Sequence, residues 1–132
     1  LRAEGWRQGT GLTPDEEPAL LRHENYRLDG GYNAMVELLD SPNPPDAVFT
    51  ANNLMAVGAL HALRERGLTP AQFGFATFGA LPYASLAPPG ICIVDVSARD
   101  LGSRAAKILL TRIRGDDRPF RTEVLPFEVR WT

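Results

Sequence analysis

Apolar residues in this chain recur at two different spacings, and the stretches that carry them alternate. In DGGYNAMVELLD (29–40), Tyr32, Met35, Val36, Leu38 and Leu39 fall three and four apart, the period of a helix with one covered flank. Pro42, Pro44 and Pro45 end it, since proline has no amide hydrogen and clashes with the preceding turn. DAVFT (46–50) is a short continuous apolar run and predicts the first clear buried strand. Residues 54–66 then predict the best helix, with Leu54, Val57, Gly58 and Ala62 on one flank and Met55, Ala59 and Leu63 on another, so it must be largely covered. Arg64 and Arg66 complement the negative end of its dipole, and Gly67 can take the left-handed turn that closes it. FGFATF (73–78) and ICIV (91–94) read as further strands, and residues 99–113 as a helix whose face is Leu101, Ala105, Ile108, Leu109 and Ile113. Upstream, RAEGWRQG looks like a helix broken by Gly9 and Gly11, LTPDEEP a polar loop, and ALLRHENY (19–26) a short strand. At the other end GDDRP is a turn and EVLPFEVRW an extended segment, where Pro126 predicts an edge strand or a bulge.

Strands alternating with helices over short links predict an α/β fold, a mostly parallel sheet flanked by helices. Right-handed crossovers bring every strand-to-helix loop to one edge of such a sheet, the edge where open α/β folds bind ligands. Asn52 and Asn53 lie in one of these loops. Asn53, directly before the patterned segment, has the side chain a helix N-cap needs. Asn52 is then left to serve as loop filler or, with an amide that both donates and accepts, to hold a polyhydroxylated or similarly polar small molecule.

The 132 residues are one domain's worth, 44% hydrophobic and 23% charged, ordinary for a fold with a real core. The formal charge is −2, Lys107 is the only lysine and the arginines are scattered, so this chain alone is not expected to hold DNA. Cys92 is the only cysteine, which excludes a disulfide framework, favours a reduced, cytoplasmic setting and reads as a buried inert thiol. No apolar run approaches the length of a membrane span. The sequence has no GxGxxG, GxxxxGK, HExxH or GxSxG, and neither His23 nor His61 has a neighbouring ligand at metal spacing. No catalytic residue, metal ligand or cofactor site is therefore assigned. The acid runs Asp15–Glu17 and Asp116–Asp117 read as solvated turns.

PDAVFTANNLMAVGALHALRERGL closely resembles the effector-binding core of the LacI-type (lactose-repressor-like) bacterial transcription regulators. So do Arg2-x-x-Gly5-Trp6-Arg7, Gly31-Tyr32 with Met35, FATFGALPYASLAPP, IVDVSARDLGSRAAKILLTRIRGDDRP and VLPFEVR, which together span essentially the whole chain. The resemblance implies that residues 1–132 are the second, carboxy-terminal lobe of a periplasmic-binding-protein-like (type I) fold, with 96–118 belonging to or crossing to a first lobe that this chain lacks. It implies a small polar effector, a sugar or similar metabolite, held between the lobes. DNA would be read only through an amino-terminal domain that is also missing, in a homodimer whose natural contact uses the helix after Asn53 and the loop from Leu81 to Leu86.

Carried over by position, the resemblance implies that Arg2 reaches ligand hydroxyls or carboxylates, that Tyr26 stacks on the ligand, and that Asn52 hydrogen-bonds it. A frayed terminus for Arg2 and core packing for Tyr26 are the structural alternatives. Gly79 stands where the family has an Asp acceptor, removing a charge-assisted hydrogen bond worth about 1.5–3 kcal/mol. Val96 stands where Gln is usual, and the loop 79–88 is one residue short. The cleft is thus less polar than the family pattern, which favours other polar metabolites beside sugars. Two other readings are a periplasmic solute-binding protein, which needs a secretion signal, and an α/β enzyme, for which no nucleophile is paired with a base.

Overall fold

A computed structural model describes residues 2–13, 15–81 and 87–132. Its elements run α1 (Arg2–Thr10), α2 (Glu17–Leu20), α3 (Leu28–Leu39), β1 (Val48–Thr50), α4 (Asn53–Glu65), α5 (Pro70–Phe73), β2 (Phe75–Phe78), β3 (Ile91–Asp95), α6 (Ala98–Ile113) and β4 (Glu128–Trp131). The described strands form one sheet in the order β1-β2-β3-β4. The first three are parallel, with Thr50 beside Thr77 and Thr77 beside Ile93, so their carboxyl ends share one edge. β4 runs antiparallel along β3 and closes the other side of the sheet. It begins two residues after Pro126 and lies on the edge, where a preceding proline costs no ladder bond.

The predicted α/β class is present, and its core lies between the sheet and α3–α4. Met35, Leu63, Ile91, Ile93 and Thr77 are fully buried there, with Ala56, Ala59 and Phe75 around them. α3 and α4 touch backbone to backbone. A Cβ on Gly58 would strike the carbonyl of Leu28, and one on Gly31 the carbonyl of Met55. Two polar ties fasten the same pair of helices: the Tyr32 hydroxyl donates to Glu65 at 2.6 Å, and Arg66 grips Asp40 through two bonds of 2.6 and 3.0 Å.

Two expectations at the β1 side are corrected. ALLRHENY is not a strand; its start is the last part of α2 and the rest is irregular up to α3. Arg22 explains the outcome, because its guanidinium donates to the carbonyls of Pro18, Ala19 and Leu21 at 3.0, 3.4 and 3.0 Å and so satisfies the groups a helical turn leaves open. With no strand outside it, β1 is an edge, and Phe49 is 36% exposed where a fully covered strand was expected. The short α5 was also not anticipated. Pro70 at its first turn and the Gln72 side chain accepting from the Thr69 amide at 3.2 Å hold it together.

Cys92 lies on β3, half-buried where full burial was expected. His61 is exposed on α4, where it pairs with Glu65 and lies against the Tyr32 ring.

The carboxy-terminal quarter is built differently. α6 has a capped start, the Ser97 hydroxyl accepting from the Asp100 amide, and an apolar stripe, yet no residue in it is buried. The chain after it folds back through Arg104 to Glu123 at 2.6 Å and through Arg112, which stacks 4.6 Å from the Phe120 ring centroid. Together they form an arm whose apolar side chains face outward.

Candidate functional site

The carboxyl edge of β1, β2 and β3 carries the links 51–52, 79–90 and 96–97. Asn52, two residues past β1, is the N-cap of α4: its side-chain oxygen accepts from the Met55 amide at 2.8 Å. This corrects the assignment of the cap to Asn53. Asn53 is instead the first helical residue, and its side-chain amide donates to the carbonyl of Ala80 at 3.0 Å, tying the loop after β2 to the start of α4. The cap needs a residue with extended backbone, and at φ −157°, ψ 169° Asn52 has it. Its contribution is about 1 kcal/mol.

The amide nitrogen of Asn52 is used as well, donating to the carbonyl of Tyr26 at 2.9 Å. Beneath it the buried hydroxyl of Thr77 reaches the Asn52 carbonyl at 3.4 Å. Tyr26 has φ +58°, a conformation that costs a bulky side chain about 1–3 kcal/mol, and it is the one non-glycine residue with positive φ among those described. The residue is 58% exposed, which removes core packing as its role.

Arg2 is not a loose end. Its guanidinium lies 4.2 Å from the centroid of the Phe78 ring, a cation–π contact that parks a positive charge over the carboxyl end of β2. Gly79 follows with φ +92°, its amide donating to the Val94 carbonyl at 2.8 Å. A Cβ there would meet nothing nearer than the Asn53 Cβ at 4.0 Å, so space is open but the backbone favours glycine.

Arg2 and Tyr26 line one cavity of about 1040 Å³, bounded also by Trp6, His23, Phe49 and Met35. Asn52 and Gly79 are not in its wall; they follow β1 and β2 at the carboxyl edge of the sheet. Two residues of the site were missed from the sequence, Phe78 as the platform for Arg2 and Asn53 as a loop tie, because neither a strand-end aromatic nor a second amide carries a pattern of its own. Residues 82–86 of the loop 79–88, including much of the stretch Leu81–Leu86 assigned to a dimer contact, lie outside the described residues. Among the described residues no group of three or more His, Cys, Asp or Glu is placed to hold a metal ion, and no helix is long and apolar enough to cross a membrane.

A family model described as a periplasmic binding protein-like domain matches residues 1–131. Among curated relatives, the HTH-type transcriptional repressor MelR of Bacillus subtilis is 34% identical over 95 residues, covering 71% of this chain and 28% of the repressor. The ribose operon repressor of Escherichia coli is 31% identical over 121 residues, covering 75% of this chain and 37% of its own. The chain thus spans little more than a third of these relatives at most. Among solved structures, a complex of the transcriptional regulator CelR with cellobiose superposes over 98% of this chain and 40% of its own with a TM-score of 0.81 at 30% identity. A LacI family regulator from Enterococcus faecium with bound ribose gives 0.73 at 25% identity, over 98% and 46%. The chain belongs to the periplasmic binding protein-like domain family, in its LacI-type branch.

Proposed function

We propose that this chain is the carboxy-terminal effector-sensing lobe of a cytoplasmic LacI-type transcription regulator, and that it binds a small polar effector, a saccharide first, at the rim formed by Arg2, Tyr26, Asn52 and Gly79. It is a binding lobe and not an enzyme. The observation that supports this most is the meeting of Arg2 and an exposed, backbone-strained Tyr26 on one cavity, which runs along the edge strand β1 from Asp46 to Ala51. A guanidinium supplies hydrogen-bond donors and an aromatic face covers the C–H side of a sugar ring. Solved neighbours hold cellobiose and ribose, and this chain offers less acceptor capacity than the LacI pattern because Gly79 has no carboxylate. DNA binding would belong to a separate amino-terminal reader, in a homodimer.

Residues 96–118 are proposed to cross to the other lobe of a two-lobed protein, since α6 has no buried residue of its own. The test is calorimetric titration of the 132-residue chain with ribose and cellobiose beside a panel of polar metabolites. Heat of binding that Arg2→Ala and Tyr26→Ala each diminish supports the reading. Equal binding in both variants and wild type, or none to any member of the panel, overturns it.

A further inference from the structure

We propose that Asn52 is a positioning residue that holds Tyr26 in its left-handed backbone conformation, so that the phenol ring stands at the cavity while Asn52 itself is not in its wall. The inference rests on the reading of this rim as the effector site, and it changes what Asn52 does there: the amide acts on the ligand through Tyr26.

Every polar atom of the Asn52 side chain is engaged. The oxygen takes the Met55 amide and the nitrogen gives a hydrogen to the Tyr26 carbonyl, at 2.8 and 2.9 Å. From the other side Asn25 accepts from the Arg27 amide at 2.9 Å, a turn that spans Tyr26. A tyrosine at φ +58° persists only where its surroundings over-determine it. The Asn25 side chain also donates to Asp29 at 3.2 Å, which ties this turn to the first turn of α3. Asn52 is 26 residues away and is anchored by the first turn of α4, so its bond ties the Tyr26 carbonyl directly to the end of β1 and the start of α4. Arg27, the cap residue of α3, follows Tyr26 and supplies no side-chain cap bond; the helix start holds the flanking residues, the Gly31 amide donating to the Arg27 carbonyl at 3.0 Å, and leaves the Tyr26 carbonyl to Asn52. Tyr26 is 58% exposed, so side-chain packing does little to set its direction and the backbone contributes the more. Asn53 treats the loop after β2 in the same manner through Ala80. The adjacent amides therefore staple three rim loops, two of which carry proposed ligand groups.

The test uses isotope-labelled protein and a signal that a merely structural role would not move. Positive φ brings a residue's own Hα and amide hydrogen close, so Tyr26 should show a strong intraresidue cross-peak in NMR. Asn52→Asp keeps an oxygen for the Met55 amide and loses the donor; Asn52→Ala loses both. N52D is expected to leave the Met55 amide slow to exchange and to lose the strong Tyr26 cross-peak, whereas N52A loses both features. Tyr26→Gly, which tolerates the conformation without strain, should return at least half of the melting-temperature loss that N52D causes, and this holds even if N52D alone folds poorly. Titrated with ribose and cellobiose, N52D should weaken binding roughly tenfold, as much as Tyr26→Ala does. An unchanged cross-peak in N52D, or the same melting-temperature loss with Tyr and with Gly at position 26, overturns the proposal. If the wild-type protein binds neither sugar, the saccharide reading of the site fails, and the cross-peak still decides whether Asn52 holds Tyr26.

Discussion

Placing two carboxylates on the outer face of α6, Leu109→Glu together with Ile113→Glu, separates two accounts of the carboxy-terminal arm. The protein exposes 9282 Å², whereas a compact monomer of 14.5 kDa exposes roughly 6,900 Å², leaving an excess of about 2,400 Å². Among the described residues, ten of the 14 exposed large hydrophobic side chains lie from Leu101 onward, among them Leu109 at 59% and Ile113 at 71%. A standard interface removes about 800 Å² per partner, so a third of the excess is enough for a stable contact between two copies. The chain is therefore expected to self-associate, sedimenting at twice its 14.5 kDa mass at micromolar concentration. Each copy brings two carboxylates, four in the contact between two copies, and at about 1 kcal/mol or more apiece their burial would cost at least about 4 kcal/mol, close to a thousandfold in Kd. Because neither side chain is buried within the protomer, the variant should keep the wild-type circular dichroism spectrum. Sedimentation velocity from about 5 to about 200 µM brackets a micromolar Kd. A compact wild-type monomer across that range, or a variant that unfolds and so reveals the face as internally packed, would refute the reasoning.

Gly58→Ala drives a methyl into the Leu28 carbonyl where two helices cross, and should cost about 3 kcal/mol, seen as a melting temperature lower by roughly 10 °C. Asn52→Ala, which removes a cap and a long-range tie, should cost about 2 kcal/mol, against about 1 for Asn53→Ala, which removes one hydrogen bond; the reverse order in urea unfolding would contradict the cap assignment. The hydrogen bonds from Arg66 hold the Asp40 carboxyl below its ordinary value of 3.8, so the stability it adds is complete at neutral pH and is lost as pH falls from about 4 through the lower folded value. Asp40→Asn should accordingly flatten the acid limb of melting temperature against pH, and an unchanged slope would show the pair to be thermally averaged.

Periodicity carried most of the fold. The helices α3, α4 and α6 and the strands β1, β2 and β3 follow from side-chain spacing, and their alternation is enough to infer the parallel order and the edge at which Asn52 and Asn53 lie. Failures came where a long side chain decided the local structure. ALLRHENY has the apolar residues of a strand, but Arg22 reaches back to three carbonyls and on to Glu37 at 3.0 Å, and no window of apolar spacing registers one guanidinium. The exposure of Phe49 is the same error one strand over. The cap assignment failed by one residue because Asn suits both the cap and the first helical position by composition, and the choice rests on which backbone is extended.

Gly79 shows how side-chain and backbone effects can be joined at one position. Read as a sequence difference it is a missing carboxylate, yet its φ of +92° means that any side chain there would stand on a backbone costing about 1–2 kcal/mol. The open space around it, with the Asn53 Cβ at 4.0 Å, does not lower that cost. The acceptor is therefore absent for a conformational reason as well as a chemical one, and the loop that follows is held to α4 through Ala80 instead. Of the proposed ligand groups, the Arg2 guanidinium over Phe78 supplies donors and Tyr26, set by its neighbours, an aromatic face, while Glu24 and Asp46 bring carboxylates to the same cavity. On the proposed reading, Arg2 and Tyr26 favour guests that present acceptors and a flat C–H face, Glu24 and Asp46 accept from guests that donate, and the order of affinities across a series of deoxy and carboxylated sugars is expected to follow from the backbone at residues 26 and 79 as much as from the side chains that touch the guest.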